Sequence, residues 1–202
     1  MSLFRKIFGL KADKSDDELK SADRGRYMPE VKLPIDERFT INFKANGGKF
    51  LYCENLSEVF QNFQNIIEEN DWDSKKVLLL DSNLKDKFKN SDLKSTKVIS
   101  ESTYFLTTCE NLIANDGSLL ISSNQIFEKK LNELPLNFVV FGTTSQMVEN
   151  IGEGLRGIKS KNRQKIPTNI TTIKQFKAQD DKDFLSYGSS AKNLYLLLLE
   201  DL

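Results

Sequence analysis

The run Leu194 to Leu199 constrains this chain more than any other stretch. A strand with one wet face alternates apolar and polar residues, whereas a strand covered on both faces need not. This run has no polar face, so it reads as a central strand between layers of helix. It is also far too short to cross a bilayer.

Other periodicities supply those layers. Leu56, Val59, Phe60, Phe63, Ile66 and Ile67 recur at three and four residues behind Ser57 and Glu58, which specifies an amphipathic helix. Phe39, Ile41 and Phe43 suggest an earlier helix, ended by Gly47-Gly48. Short strands are expected at Lys49 to Cys53, Val77 to Leu80, Val98-Ile99, Phe138 to Phe141 and Ile170 to Ile173. A short helix is expected over Leu84 to Phe88 and a long one from about Ser145 to Lys159. This alternation argues an α/β fold with a mainly parallel sheet flanked by helices.

One pair of strands breaks the alternation. Between Thr107 and Ser123, the apolar runs Leu112-Ile113-Ala114 and Leu119-Leu120-Ile121 flank Asn115-Asp116-Gly117-Ser118. Residues that tolerate positive φ at that spacing specify an antiparallel hairpin. Its tip is either an ordinary turn or a place where a carboxylate, a hydroxyl and backbone N–H groups grip a polar ligand.

The order from this hairpin onward carries a resemblance. An acidic-Gly-Ser turn, an aliphatic run, Leu134-Pro135 and the Val139-Val140 strand resemble the LUD (lactate-utilisation, LutC/YkgG-like) domain family. The resemblance spans roughly Phe39 to Leu202 and is best between Thr107 and Lys159. It departs from the family at two places. The usual Glu-Thr-Gly turn is Asn115-Asp116-Gly117-Ser118 here. The Gly-Pro-Ser and Val-His-Gly-Pro signatures survive only as Pro167-Thr168-Asn169 and Tyr187-Gly188-Ser189-Ser190, so any chemical role of the family histidine is lost.

The resemblance implies a NagB/RpiA/CoA-transferase-like fold, that of glucosamine-6-phosphate isomerase and ribose-5-phosphate isomerase. It also implies a role in lactate or related 2-hydroxy-acid utilisation, beside iron–sulfur subunits of a lactate-oxidising complex. This chain would be the non-redox subunit that binds a ligand or organises partners. Two other readings stay open. One is an independent isomerase- or CoA-transferase-like enzyme on a small anionic substrate, with Glu101, Glu110 or Asp116 as base and Lys49 or Arg156 holding substrate charge. The other is a structural interaction domain.

Composition narrows the chemistry. Lys+Arg and Asp+Glu both total 29, so the chain lacks the basic excess of a nucleic-acid binder. The basic stretch Lys159 to Lys165 reads as the solvated end of a helix. With no histidine, Ser-His-Asp and Cys-His catalysis and His-ligated metals are excluded. The two cysteines, Cys53 and Cys109, cannot supply the four thiolates of an iron–sulfur cluster and read as buried, reduced core residues. No metal and no cofactor is therefore expected. Leu3 to Leu10 lacks the length and cleavage site of a signal peptide, so a soluble cytoplasmic protein is expected, not an integral membrane one.

Residues 1–35 read as a separate arm and charged linker before an α/β domain over 36–202. Leu3, Phe4, Ile7 and Phe8 share one helical face, suited to a membrane surface, the domain itself or a sister subunit, the last giving a homo-oligomer.

Three segments combine into a candidate ligand site. Gly142-Thr143-Thr144-Ser145 lies between a buried strand and a helix, where hydroxyls and unpaired N–H groups attract anions or cap the helix. The Asp116-Gly117-Ser118 turn and the Gly188-Ser189-Ser190 loop complete it. The expected ligand is a small carboxylate or phosphate held by Thr143, Thr144 and Ser145, with Asp116 toward its hydroxyl end. No catalytic residue is assigned. Gly152-Glu153-Gly154-Leu155-Arg156-Gly157 matches the G-x-G-x-x-G dinucleotide pattern. Because a helix is expected to have started already at Ser145, these glycines read as helix-packing residues.

Overall fold

The computed structural model describes residues 33–176 and 192–201. The sequence-predicted arm over 1–35 and the Gly188-Ser189-Ser190 loop therefore lie almost wholly or wholly outside the described residues.

The principal sheet has six strands. In chain order they are β1 (Lys49–Cys53), β2 (Val77–Leu78), β3 (Ser95–Thr96), β4 (Tyr104–Thr108), β7 (Asn137–Thr143) and β10 (Asn193–Leu199), arranged β1-β10-β7-β4-β2-β3. Every pairing in it is parallel. β10 lies inside the sheet between β1 and β7, and Leu194, Leu196, Leu197 and Leu198 are all 0% exposed, as a strand without a polar face requires.

Helices α1 (Ile35–Ala45) and α2 (Leu56–Glu69) flank this sheet. The Asn55 side chain caps α2 by accepting from the Glu58 backbone N–H at 3.0 Å, and the Glu58 carboxylate accepts from Glu54 N–H at 2.8 Å. Val59, Phe63, Ile66 and Ile67 then form one buried face, packed with Tyr195, Leu197 and Val139 of the sheet. Leu84 of α3 (Ser82–Lys87) joins the same core, as does the Trp72–Tyr104 stack, with ring centroids 4.6 Å apart. Such an aromatic pair contributes about 0.5–1.5 kcal/mol beyond its buried area. α1 ends as its glycines dictate, with Gly47 at φ 88° and its N–H donating to Lys44 O.

The hairpin of β5 (Asn111–Ile113) and β6 (Ser118–Ile121) is antiparallel, with Leu112 opposite Leu119. It belongs to a separate four-stranded sheet, β8-β5-β6-β9, completed by β8 (Met147–Val148) and β9 (Thr171–Ile173). α5 (Ile151–Lys161) packs on it through Ile158, beside Ile113 and Leu120.

Two local expectations change. Val98-Ile99 is not a strand; the edge strand is Ser95–Thr96, and Ile99–Glu101 form a single 3-10 turn. The helix expected from Ser145 begins at Ile151, because Met147 and Val148 instead pair in parallel with Leu112 and Ile113. Asn150 supplies the N-cap, accepting from Glu153 N–H at 3.0 Å. The glycine pattern thus opens a helix after all, so the positional argument against it falls. Its packing role still holds for Gly154, where a β-carbon would lie 3.0 Å from Leu120 and 3.3 Å from Asn111. Gly157 faces open space.

Candidate functional site

Register brings the C-terminal residues to the loop after β7. Leu199 pairs with Thr143, so Asp201 lies just beyond, level with Thr144 and Ser145. The Asp201 carboxylate accepts from the Ser145 backbone N–H at 2.8 Å, the Ser145 hydroxyl at 2.7 Å and the Thr144 hydroxyl at 2.9 Å. Burial alone would raise its pKa. The hydrogen bonds from Ser145, Thr144 and Thr143 outweigh that and hold the carboxyl below its ordinary value. A carboxylate of this same chain thus occupies the groups that the sequence reading offers to an anion. Thr143 also starts a capping box, its N–H donating to Gln146 Oε1 at 2.8 Å. Capping and carboxylate binding coexist in one loop.

The Asp116-Gly117-Ser118 turn is packed against α1. Asn46 Nδ2 donates to Asp116 O at 2.7 Å, and Asn42 Nδ2 to Ala114 O at 2.8 Å. Asp116 Oδ1 accepts from the Ser118 N–H and hydroxyl at 3.1 and 2.7 Å, while Gly117 N–H donates to Ile113 O at 2.9 Å. Lys174 approaches the same carboxylate at 3.8 Å. The turn therefore spends its polar groups on tying the hairpin to α1. It follows the end of β5, whereas Gln146, beside Thr144 and Ser145, donates to Cys109 O just before β5 begins.

A cleft of about 620 Å³ opens elsewhere along the carboxyl side of the principal sheet. Thr108 ends β4 in its wall, and Asp81 follows β2 there, capping α3 by accepting from Asn83 N–H at 2.8 Å. Open α/β sheets bind ligands at this edge. The far wall comes from α4 (Ser123–Ile126) and from Lys165 to Thr168. These two segments are cross-linked: Ser123 N–H donates to Thr168 O at 2.8 Å, and Thr168 N–H donates to Ser123 Oγ at 3.0 Å. The Thr168 hydroxyl donates to Glu128 at 2.7 Å.

Glu110, a candidate base in the sequence, borders the cleft, and Phe127 lines it without any signal in the sequence. Glu110 accepts from Ser122 Oγ at 2.6 Å and from Asn124 Nδ2 at 2.8 Å, which puts a carboxylate against the cleft residue Asn124. Phe127, which lines the cleft, has φ 54° and ψ −136°. For a residue with a β-carbon this conformation costs of order 1–3 kcal/mol. The signal available for the cleft was Pro167-Thr168-Asn169, the remnant of a family signature, whose first two residues line it.

The other proposed charge carriers are placed apart from this cleft. Glu101 pairs with Lys76 at 2.6 Å on the surface, Lys49 donates to the Tyr195 hydroxyl at 2.6 Å, and Arg156 is exposed on α5. Cys53 and Cys109 are both buried. Among the described residues, no group of three or more acidic, cysteine or histidine side chains is arranged to hold a metal ion. No helix among them is long and apolar enough to cross a membrane.

The family model for the LUD domain matches residues 37–199. No curated protein matches the sequence significantly. A solved structure, described as a DUF162 family protein from Deinococcus radiodurans, superposes with a TM-score of 0.57 at 12% identity. The match covers 86% of this chain and 100% of that one. At that identity the likeness establishes the shared fold.

Proposed function

This chain belongs to the LUD-domain family, and we propose from that premise that it is a non-redox, ligand-binding subunit of lactate or related 2-hydroxy-acid utilisation. It works beside iron–sulfur partners that carry the electrons.

The observation that supports this reading is the cleft at the carboxyl ends of β2 and β4. Lys165 supplies a cation for a carboxylate, and Thr108, Asn83 and Asn124 supply hydroxyl and amide groups for an α-hydroxyl. Asp81 and Glu128 line the cleft as hydrogen-bond acceptors, which suits the ligand's hydroxyl rather than its carboxylate. Both thiols lie in the interior, so electron transfer falls to partners.

Calorimetric titration of the purified chain with L-lactate tests the ligand half of this reading. Binding should weaken at least about tenfold in Lys165→Met, the cost of one hydrogen bond to a charged group. Equal affinity in both proteins removes Lys165 from the site, and no binding in either removes lactate as the ligand. Tagged purification from native cells tests the partners: co-purified brown, iron-containing subunits support the complex, and a colourless lone chain argues against it.

A further inference from the structure

We infer that Phe127 is the specificity-determining residue of this cleft, selecting a 2-hydroxy acid larger than lactate whose third carbon carries an aryl group. The inference rests on the 2-hydroxy-acid reading above and narrows it.

The backbone at Phe127 is the first support. Its φ of 54° is a conformation that suits glycine, and Phe127 is 52% exposed, so only about half of its surface is buried in return.

The conformation is also held from outside. Asn169 Nδ2 donates to Phe127 O at 3.0 Å and to Lys129 O at 2.8 Å, and Asn169 is itself at φ 51°. Two residues in an uncommon backbone region are thus tied to each other, and the product is an aromatic ring set in the wall of a polar cleft.

Size is the third support. A cleft of about 620 Å³ matches pockets for ligands well above a three-carbon acid. Lactate would leave most of it as water. With carboxylate and hydroxyl on Lys165, Asn124 and Thr108, the remaining apolar lining is Pro167 and the Phe127 ring, and of these the ring offers an aromatic face. Stacked or edge-on contact with a second ring recovers its exposed apolar surface.

The test compares L-lactate with L-3-phenyllactate by calorimetry on the full chain, with Phe127→Gly and Phe127→Ala beside the wild type. Wild type should bind phenyllactate about tenfold or more tightly than lactate. In both variants phenyllactate affinity should fall about tenfold, toward that of each variant for lactate. Phe127→Gly should also melt about 2–4 °C higher, since glycine relieves the backbone conformation. Lactate binding without an aryl preference, a preference that survives in both variants, or a lower Tm in Phe127→Gly overturns this inference alone. Binding of neither acid overturns it together with the 2-hydroxy-acid reading.

Discussion

Asp201 closes on Ser145 through two bonds at once, accepting from its backbone N–H at 2.8 Å and its hydroxyl at 2.7 Å. The pair joins the end of the last central strand to the loop after its neighbour. Because the folded pKa lies below 3.8, the contribution is fully present above that value and lost as pH falls through the folded pKa. Asp201→Asn should lower stability at pH 7 by about 0.5–1 kcal/mol, modest because the carboxylate is largely solvated. Urea titrations at pH 7 and pH 2.5 should show the gap between variant and wild type narrowing at the lower pH.

Gly117 tests how the hairpin tip is docked. Its φ is +67°, and a β-carbon there would lie 2.3 Å from the backbone of both Asn42 and Phe43. Since helix backbone cannot move aside cheaply, Gly117→Ala should cost about 3–5 kcal/mol by urea denaturation. Gly157→Ala, in α5 with nothing within 4 Å, should stabilise by about 0.5–1 kcal/mol. Similar effects for the two substitutions would contradict the packing of the turn on α1.

Lys192 is 3% exposed, and its ammonium donates to Leu134 O and Pro135 O at 3.1 and 3.0 Å. Burial pushes its pKa down to about 8 from 10.5. Between those values the unfolded chain binds more protons than the folded one, so stability rises with pH across that window. Burial raises the Tyr104 phenol above 10, an effect that lowers stability only as pH rises beyond 10. Cys53 and Cys109, raised above 9 by burial, pull stability down over the same window, but equally in both proteins. Chemical denaturation from pH 7 to pH 10 should therefore show wild type gaining stability relative to Lys192→Met.

Both thiols should be inert in the folded protein. Cys109 is pushed up to about 12 by burial, with Glu110 adding to it, and Cys53 is raised mainly by burial, partly offset by Asn62. A thiolate reagent at pH 8 should label neither cysteine until denaturant is added, and then both. Rapid labelling of the native protein would show a reactive site that the structure does not contain.

Local pattern carried much of the fold. The unbroken apolar run Leu194 to Leu199 and the spacing of Val59, Phe63, Ile66 and Ile67 each encode burial within a few residues, so a central strand and an amphipathic helix were legible before any contact was known. Gly47 and the Asn115-Asp116-Gly117 turn were legible too, since positive φ is a property of single residues. Met147-Val148 was misread because its helical stripe is ambiguous. What made it a strand was a partner, Leu112-Ile113, far away in the chain.

The candidate site shows the same division more sharply. Thr144 and Ser145 were identifiable as polar groups at a strand end, but not that Asp201 would fill them. That depends on the register of β10 against β7. The cleft joins Asp81, Thr108, Ser123, Lys165 and Thr168 from separate elements, and no spacing in the sequence encodes their meeting. Sequence alone therefore determined which segments are strands or helices where short-range periodicity is unambiguous. Tertiary structure decided which sheet the hairpin joins, where the ring of Phe127 is held and which carboxylate meets which hydroxyl, because those outcomes follow from pairing and packing between distant segments.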